Sequence, residues 1–211
     1  MFETAFDPAS IPVQYSCGSH HFPFAAAELA AAPDVAELDT PEADALRADE
    51  DFRDATDWRL AARQPGRVLF LARFPGGRSL GYVIVAWQED RWQWAGSGDC
   101  RAEALLDEWP PGTWRLDPDR PLERDDRRLH LLMTGPHCFD RRRVIGAPII
   151  ASLPDDVLIT IPVRNDEVGV GCAPRDPDRY TVDLPEPLGL RRLWDIGTYP
   201  PRPPHRPEWW R

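Results

Sequence analysis

Between residues 129 and 188, apolar and polar side chains trade places at almost every step. Leu129, Leu131 and Met133 alternate with His130, Leu132 and Thr134, the period-2 signature of a strand with one buried face. Residues 143–153 are rich in Ile and Val but carry Gly146 and Pro148, which predicts a bulge or an edge rather than an unbroken central strand. Pro154-Asp155-Asp156 reads as a turn. Val157, Ile159, Ile161 and Val163 then alternate with Leu158, Thr160 and Pro162. Asn165-Asp166 turns the chain towards Val168, Val170 and Cys172, and Tyr180, Val182 and Leu184 close the series. Strands this closely spaced, with turn signals between them, predict an antiparallel β-sandwich or open barrel. No helix-length apolar pattern interrupts them, which disfavours a βαβ fold.

The first half mixes both periods. Residues 1–23 predict irregular chain or one short strand, and the alanine-rich residues 24–32 a short helix ended by Pro33. A firmer helix starts at Thr40: Thr40 is a good N-cap, Pro41 suits the first helical position, and Glu42 complements the positive helix end. Its spacing carries it to about Arg53, with Leu46 and Phe52 as the stripe against a sheet. Residues 68–74 form a strand, and residues 80–88 and 91–95 a hairpin joined at Glu89-Asp90. A two-residue loop there sets Gln88 against Arg91, Trp87 against Trp92 and Val85 against Trp94; Glu-Asp is not the preferred Asn-Gly turn, so a four-residue loop is the alternative. Val83, Val85, Trp87, Trp92 and Trp94 then share one face, which a one-residue slip would scatter. Residues 101–108 predict a short helix, closed by Trp109-Pro110-Pro111-Gly112. Residues 117–128 read as a solvated connector, and residues 199–211 as extended polyproline II. The whole is mainly β (α+β), with one or two N-terminal helices packed on the strands. It divides into residues 1–116, residues 117–195 and a Pro-rich tail over residues 196–211.

The chain of 211 residues carries a formal charge of −10 and contains no lysine. An overall negative field disfavours nucleic acid as a partner and suits a basic protein. No run approaches the roughly 18–20 apolar residues that span a bilayer, so no transmembrane segment is expected. Residues 1–19 lack the positive start and apolar core of a secretory signal. The cysteines point the other way. Cys17, Cys100, Cys138 and Cys172 are even in number, widely spaced and without a C-x-x-C pair, which favours two disulfides and an oxidising compartment. Three connectivities are open; Cys138–Cys172, each just after a strand, with Cys17–Cys100 is the favoured one.

Four clusters are candidates for chemistry. Trp87, Trp92 and Trp94 form an aromatic face that is core if covered and a binding site if wet. His137, Asp140 and Arg141, in GPHCFDRRR, could hold a carboxylate or phosphate. Cys17 with His20 and His21 resembles a partial zinc set, but nothing completes it, so no metal or other cofactor is expected. Ser97 in AGSGD lacks both glycines of a nucleophile elbow.

Several signatures in order are Cys17-Gly18, residues 92–100 (WQWAGSGDC), residues 114–117 (WRLD), residues 135–138 (GPHC), Cys172-Ala173-Pro174 and the closing LPEPLGLRRLWDIGTYPP. In these the chain resembles an uncharacterised family of small secreted or lipid-anchored proteins of high-GC Gram-positive bacteria. The resemblance implies two disulfides and an envelope location. That family has no assigned activity, so no functional residue is carried over from it. The expectation is a non-enzymatic, disulfide-stabilised module that binds a protein or envelope component. Two alternatives are a cytoplasmic acidic inhibitor, of the immunity type, that masks a basic partner, and a hydrolase using His137 with Asp140 or Cys17 with His20.

Overall fold

The computed structural model describes residues 6–18, 22–48, 56–73, 80–107, 109–134, 143–165 and 176–204. Over these the chain is mostly β with few helices; it forms several antiparallel sheets and no closed barrel. It separates into two compact units, Met1–Ala9 with Val13–Glu103 and Ser10–Pro12 with Ala104–Arg211. Residues 117–128 thus lie inside the second unit.

The first unit begins with strand β1 (Gln14–Cys17), β2 (Phe24–Ala25), helix α1 (Ala26–Ala31) and a 3-10 turn, Val35–Glu37. Helix α2 (Pro41–Arg47) starts as expected, with the Thr40 side chain accepting from the Ala43 N–H at 3.3 Å and Pro41 in the first turn. It ends at Arg47 rather than near Arg53. The Arg47 guanidinium reaches back to the carbonyls of Val35 (2.8 Å) and Leu38 (3.0 Å), which ties the helix end to the preceding turn. Phe52 lies outside the described residues.

Four strands follow in sequence order and pair antiparallel as β3-β4-β5-β6: β3 (Thr56–Gln64), β4 (Arg67–Arg73), β5 (Leu80–Gln88) and β6 (Arg91–Cys100). One face of this sheet, with Trp58, Val68, Phe70, Ala72, Val83 and Val85, packs on Val35, Ala43 and Leu46 of the 3-10 turn and α2. Leu69, Leu71 and Ile84, on the other face, are buried too. The helix expected over residues 101–108 is instead strand β7 (Ala102–Ala104), in a sheet of order β7-β1-β2. Ala102 and Ala104 are buried with Glu103 between them half-buried, so packing at period 2 overrides a composition of good helix formers.

The second unit is built from β8 (Thr113–Leu116), β9 (Arg128–Thr134), β10 (Arg143–Ile145), β11 (Ile149–Ser152), β12 (Asp156–Thr160), β13 (Val163–Asn165), β14 (Asp178–Asp183), β15 (Arg192–Asp195) and β16 (Thr198–Tyr199). The run from 143 to 153 breaks at Gly146–Pro148, as Gly and Pro dictate. Sheets β14-β9-β8 and β11-β12-β15 contribute to a single core. Trp114, Leu116, Leu129, Leu131 and Met133 from the first meet Val157, Ile159 and Leu193 from the second, with Ile161 and Val182. Central strand β12 buries both faces, so Leu158 and Thr160 are as inaccessible as Val157 and Ile159.

Two features depart from the expected antiparallel series and extended Pro-rich tail. Strand β15 pairs parallel to β12, from Asp156↔Arg192 to Ile159↔Asp195; the long stretch between them supplies the crossover that a parallel pair needs. Arg192 donates to both Asp156 carboxylate oxygens (2.8 and 2.9 Å) and Trp194 Nε1 donates to Oδ1 at 2.7 Å, so side chains lock the register. Farther on, Asp195 and Arg202 exchange backbone hydrogen bonds in both directions, which attaches the start of the Pro-rich stretch to the unit. Residues 205–211 lie outside the described residues.

Candidate functional site

The register of β5 and β6 builds the clearest candidate. Gln88 pairs with Arg91, Trp87 with Trp92 and Val85 with Trp94, as the two-residue loop predicts. Glu89 (φ 50°) and Asp90 (φ 60°) both adopt left-handed backbone, the requirement of a type I′ turn, whose preferred residues are Asn-Gly. A side chain at positive φ costs about 1 kcal/mol, so this turn closes without the residues that would close it best. Beyond Trp94 the register shifts: Val85 faces Trp94 while Ile84 faces Gly96. Ala95 is the extra residue of a bulge, and the strand turns Gly96 and Gly98 away from the indole face.

Burial along that face changes from one end to the other. Val83 and Val85 are wholly buried, Trp92 packs half-buried against the same core, and Trp87 and Trp94 are 51% and 52% exposed. Only Leu105 and Leu190 join them as exposed large apolar side chains among the described residues. Trp87 and Trp92 meet edge to face with centroids 5.8 Å apart, a favoured aromatic geometry. The Trp87 N–H donates to Gly66 O at 2.8 Å, which anchors the hairpin backbone beside the β3–β4 turn. Trp87 is thus held between Trp92 and a fixed backbone and left half in solvent.

Charge around the face is asymmetric. Arg63 shares this face and is paired with Glu42 of α2 at 2.5 Å. Burial pushes the Glu42 carboxyl up, but the hydrogen bonds from Arg63, the backbone and Thr40, together with the Arg63 charge, outweigh it and leave it below the usual range. Arg91 sits opposite Gln88, and that pair projects to the other side of the sheet, where Gln93 Nε2 donates to Gln88 Oε1 at 3.0 Å. Glu89 and Asp90 remain exposed at the tip.

The far end of β6 is covalently fixed. Cys17 and Cys100 form a disulfide across 83 residues, worth about 4–5 kcal/mol in the chain-entropy account. Cys17 is therefore neither a zinc ligand nor a nucleophile in this state. His20, His21, His137, Cys138, Asp140, Arg141 and Cys172 lie outside the described residues, and the Cys138–Cys172 pairing with them. Ser97 is a mid-strand residue opposite Val83, not the strand-to-helix turn that exposes an elbow nucleophile. Among the described residues, no group of three or more His, Cys, Asp or Glu is placed to hold a metal. No helix there is long and apolar enough to cross a membrane.

Two features of the second unit escape sequence reasoning. A cleft of about 520 Å³ is lined by Leu106, Asp107, Trp109, Gly146, Ala147 and Pro162, with the Arg164 guanidinium 5.0 Å from the Trp109 ring centroid. Its only signal was the Trp-Pro-Pro-Gly run, which read as a helix stop. Among the described residues that line it, Asp107 is the one with a charged side chain. The other is Asp195, a buried carboxyl pushed up to about 6 by burial, against the opposing pull of the Gly197 N–H, Arg202 and Trp114. Nothing in the local sequence marks it.

Comparison of the chain with family models, with curated proteins and with solved structures finds no match. Fold and site together define a β-rich α+β chain that presents an indole surface on a pinned hairpin.

Proposed function

We propose that this chain is a non-enzymatic binding module and that Trp87, Trp92 and Trp94 are its recognition surface. The observation that carries the reading is the half-exposure of Trp87 and Trp94 on one face of the hairpin. Large aromatic side chains bring contact area at little entropic cost and dominate binding hot spots. Here the sheet that carries them is fixed by a core on its covered face and a disulfide at its far end. The Cys17–Cys100 bond supports an oxidising location at the cell envelope or outside the cell. The formal charge of −10 favours a second reading, an acidic inhibitor of a basic protein; both readings use the same surface.

A photo-crosslinking amino acid at position 94, compared with one at the exposed Leu190, tests the proposal against the envelope fraction of a high-GC Gram-positive bacterium. The expected result is a discrete adduct from position 94 alone, lost when Trp87→Ala is added. Equal adducts from both positions, or none from position 94, would refute it.

A further inference from the structure

We infer that the tryptophan face takes a cationic polypeptide, whose arginine or lysine side chains stack on Trp87 and Trp94 while Glu89 and Asp90 supply the counter-charge. This rests on the reading of that face as a recognition surface and adds the chemistry of the partner. Three observations carry it.

The first is the shape and electronics of the surface. Exposed indole faces are the best aromatic acceptors for cations, and a guanidinium stacks on them without giving up its hydrogen bonds. The second is the local balance of charge. Arg63, the basic side chain that the described strands place on this face, is already paired with Glu42, and Arg91 projects to the opposite side. Two carboxylates stand at the tip, in a chain of net charge −10. An anionic or neutral partner would meet this edge with uncompensated repulsion or none of the available attraction; a cationic one is steered to it.

The third is the turn itself. Both loop residues occupy left-handed backbone that Asn-Gly fills with less strain. The turn therefore does not call for carboxylates at 89 and 90, and a locally disfavoured choice beside exposed indoles points to a use outside the fold. The turn and the indoles are also one rigid object, because the Trp87–Trp92 pair lies directly behind the loop.

The turn offers a clean test. Replacing Glu89→Asn together with Asp90→Gly removes both charges and installs the preferred type I′ pair, so the hairpin survives and its urea midpoint rises. The probe is a ten-residue peptide of alternating arginine and threonine, titrated into the full chain at about 0.15 M salt, near the physiological Debye length, and followed by tryptophan fluorescence. The expected result is saturable binding to the parent chain and at least a tenfold weaker affinity for the turn variant. A control pair, Asp125→Asn with Asp155→Asn, removes the same charge elsewhere and should change affinity less than twofold. An alternating glutamate–threonine peptide should not bind. If the turn variant binds the arginine peptide as well as the parent does, Glu89 and Asp90 do not supply the counter-charge and the inference fails; Trp94→Ala still weakening binding would then leave the recognition surface standing. If Trp87→Ala and Trp94→Ala both bind like the parent, the surface itself is wrong. If the control pair weakens binding as much as the turn variant, the attraction is to net charge and the inference fails.

Discussion

Trp114 and Trp94 are both strand tryptophans, on β8 of the second unit and β6 of the first. Trp114 is 2% exposed and Trp94 is 52% exposed. Trp114 faces a second sheet in its own unit, so Val157, Ile159 and Leu193 close over that side of β8 and β9. Trp94 shares a face with Val83 and Val85, and the helix covering those valines leaves the indoles of the hairpin open. The same alternation of side chains therefore gives core in one unit and surface in the other. What differs is the second layer, and a second layer is a tertiary fact that period-2 patterning does not contain.

Four experiments press on that contrast, taken from the largest expected effect downward. Replacing Cys17 and Cys100 by serine should lower the unfolding free energy by about 4–5 kcal/mol, read from urea denaturation; a loss under about 1 kcal/mol would mean the bond does not constrain this unit. Trp114→Ala should cost about 4 kcal/mol, the range for emptying a buried aromatic site. Next comes Asp195. Its carboxyl sits near 6 in the folded chain, against an ordinary 3.8, so the folded state binds the extra proton between those values. The neutral form supports the fold at low pH, and that support is lost as pH rises through about 6. The difference in stability between the parent and Asp195→Asn should therefore shift by up to about 3 kcal/mol between pH 4 and pH 7, with the parent losing ground as pH rises. No shift would place that carboxyl in contact with water. Last, Trp94→Ala should cost only about 1 kcal/mol, near the centre of ordinary substitutions. A cost near that of Trp114→Ala would make the hairpin face core and dissolve the comparison.

Much of the fold was legible, and the limits have physical causes. The hairpin register followed from the two-residue form of the Glu89-Asp90 loop, the shorter of the two the sequence allows. The strand faces at Leu129, Leu131 and Met133 and at Val182 and Leu184 followed from alternation; all are buried. Thr40 and Pro41 announced the start of α2, but its end at Arg47 depends on carbonyls of Val35 and Leu38 that no local rule places beside it. Residues 101–108 misled because Ala, Glu and Leu favour helices, while Ala102 and Ala104 are held as strand by β1. The parallel β12–β15 pair was invisible because it joins segments far apart in the chain and is locked by Asp156 with Arg192 and Trp194. Of the candidate site, the composition of the tryptophan face was readable. The bulge at Ala95 and the exposure of Trp87 and Trp94 were not, since both depend on neighbouring layers.

The most direct test of the account is ¹⁹F NMR of the full chain labelled with 5-fluorotryptophan, with Trp87 and Trp94 assigned by phenylalanine substitution. Their resonances should show large solvent isotope shifts between H₂O and D₂O, while Trp58 and Trp114 should show almost none. Small shifts at both Trp87 and Trp94 would mean that the face is covered in solution, and the case for a recognition surface would fall with it.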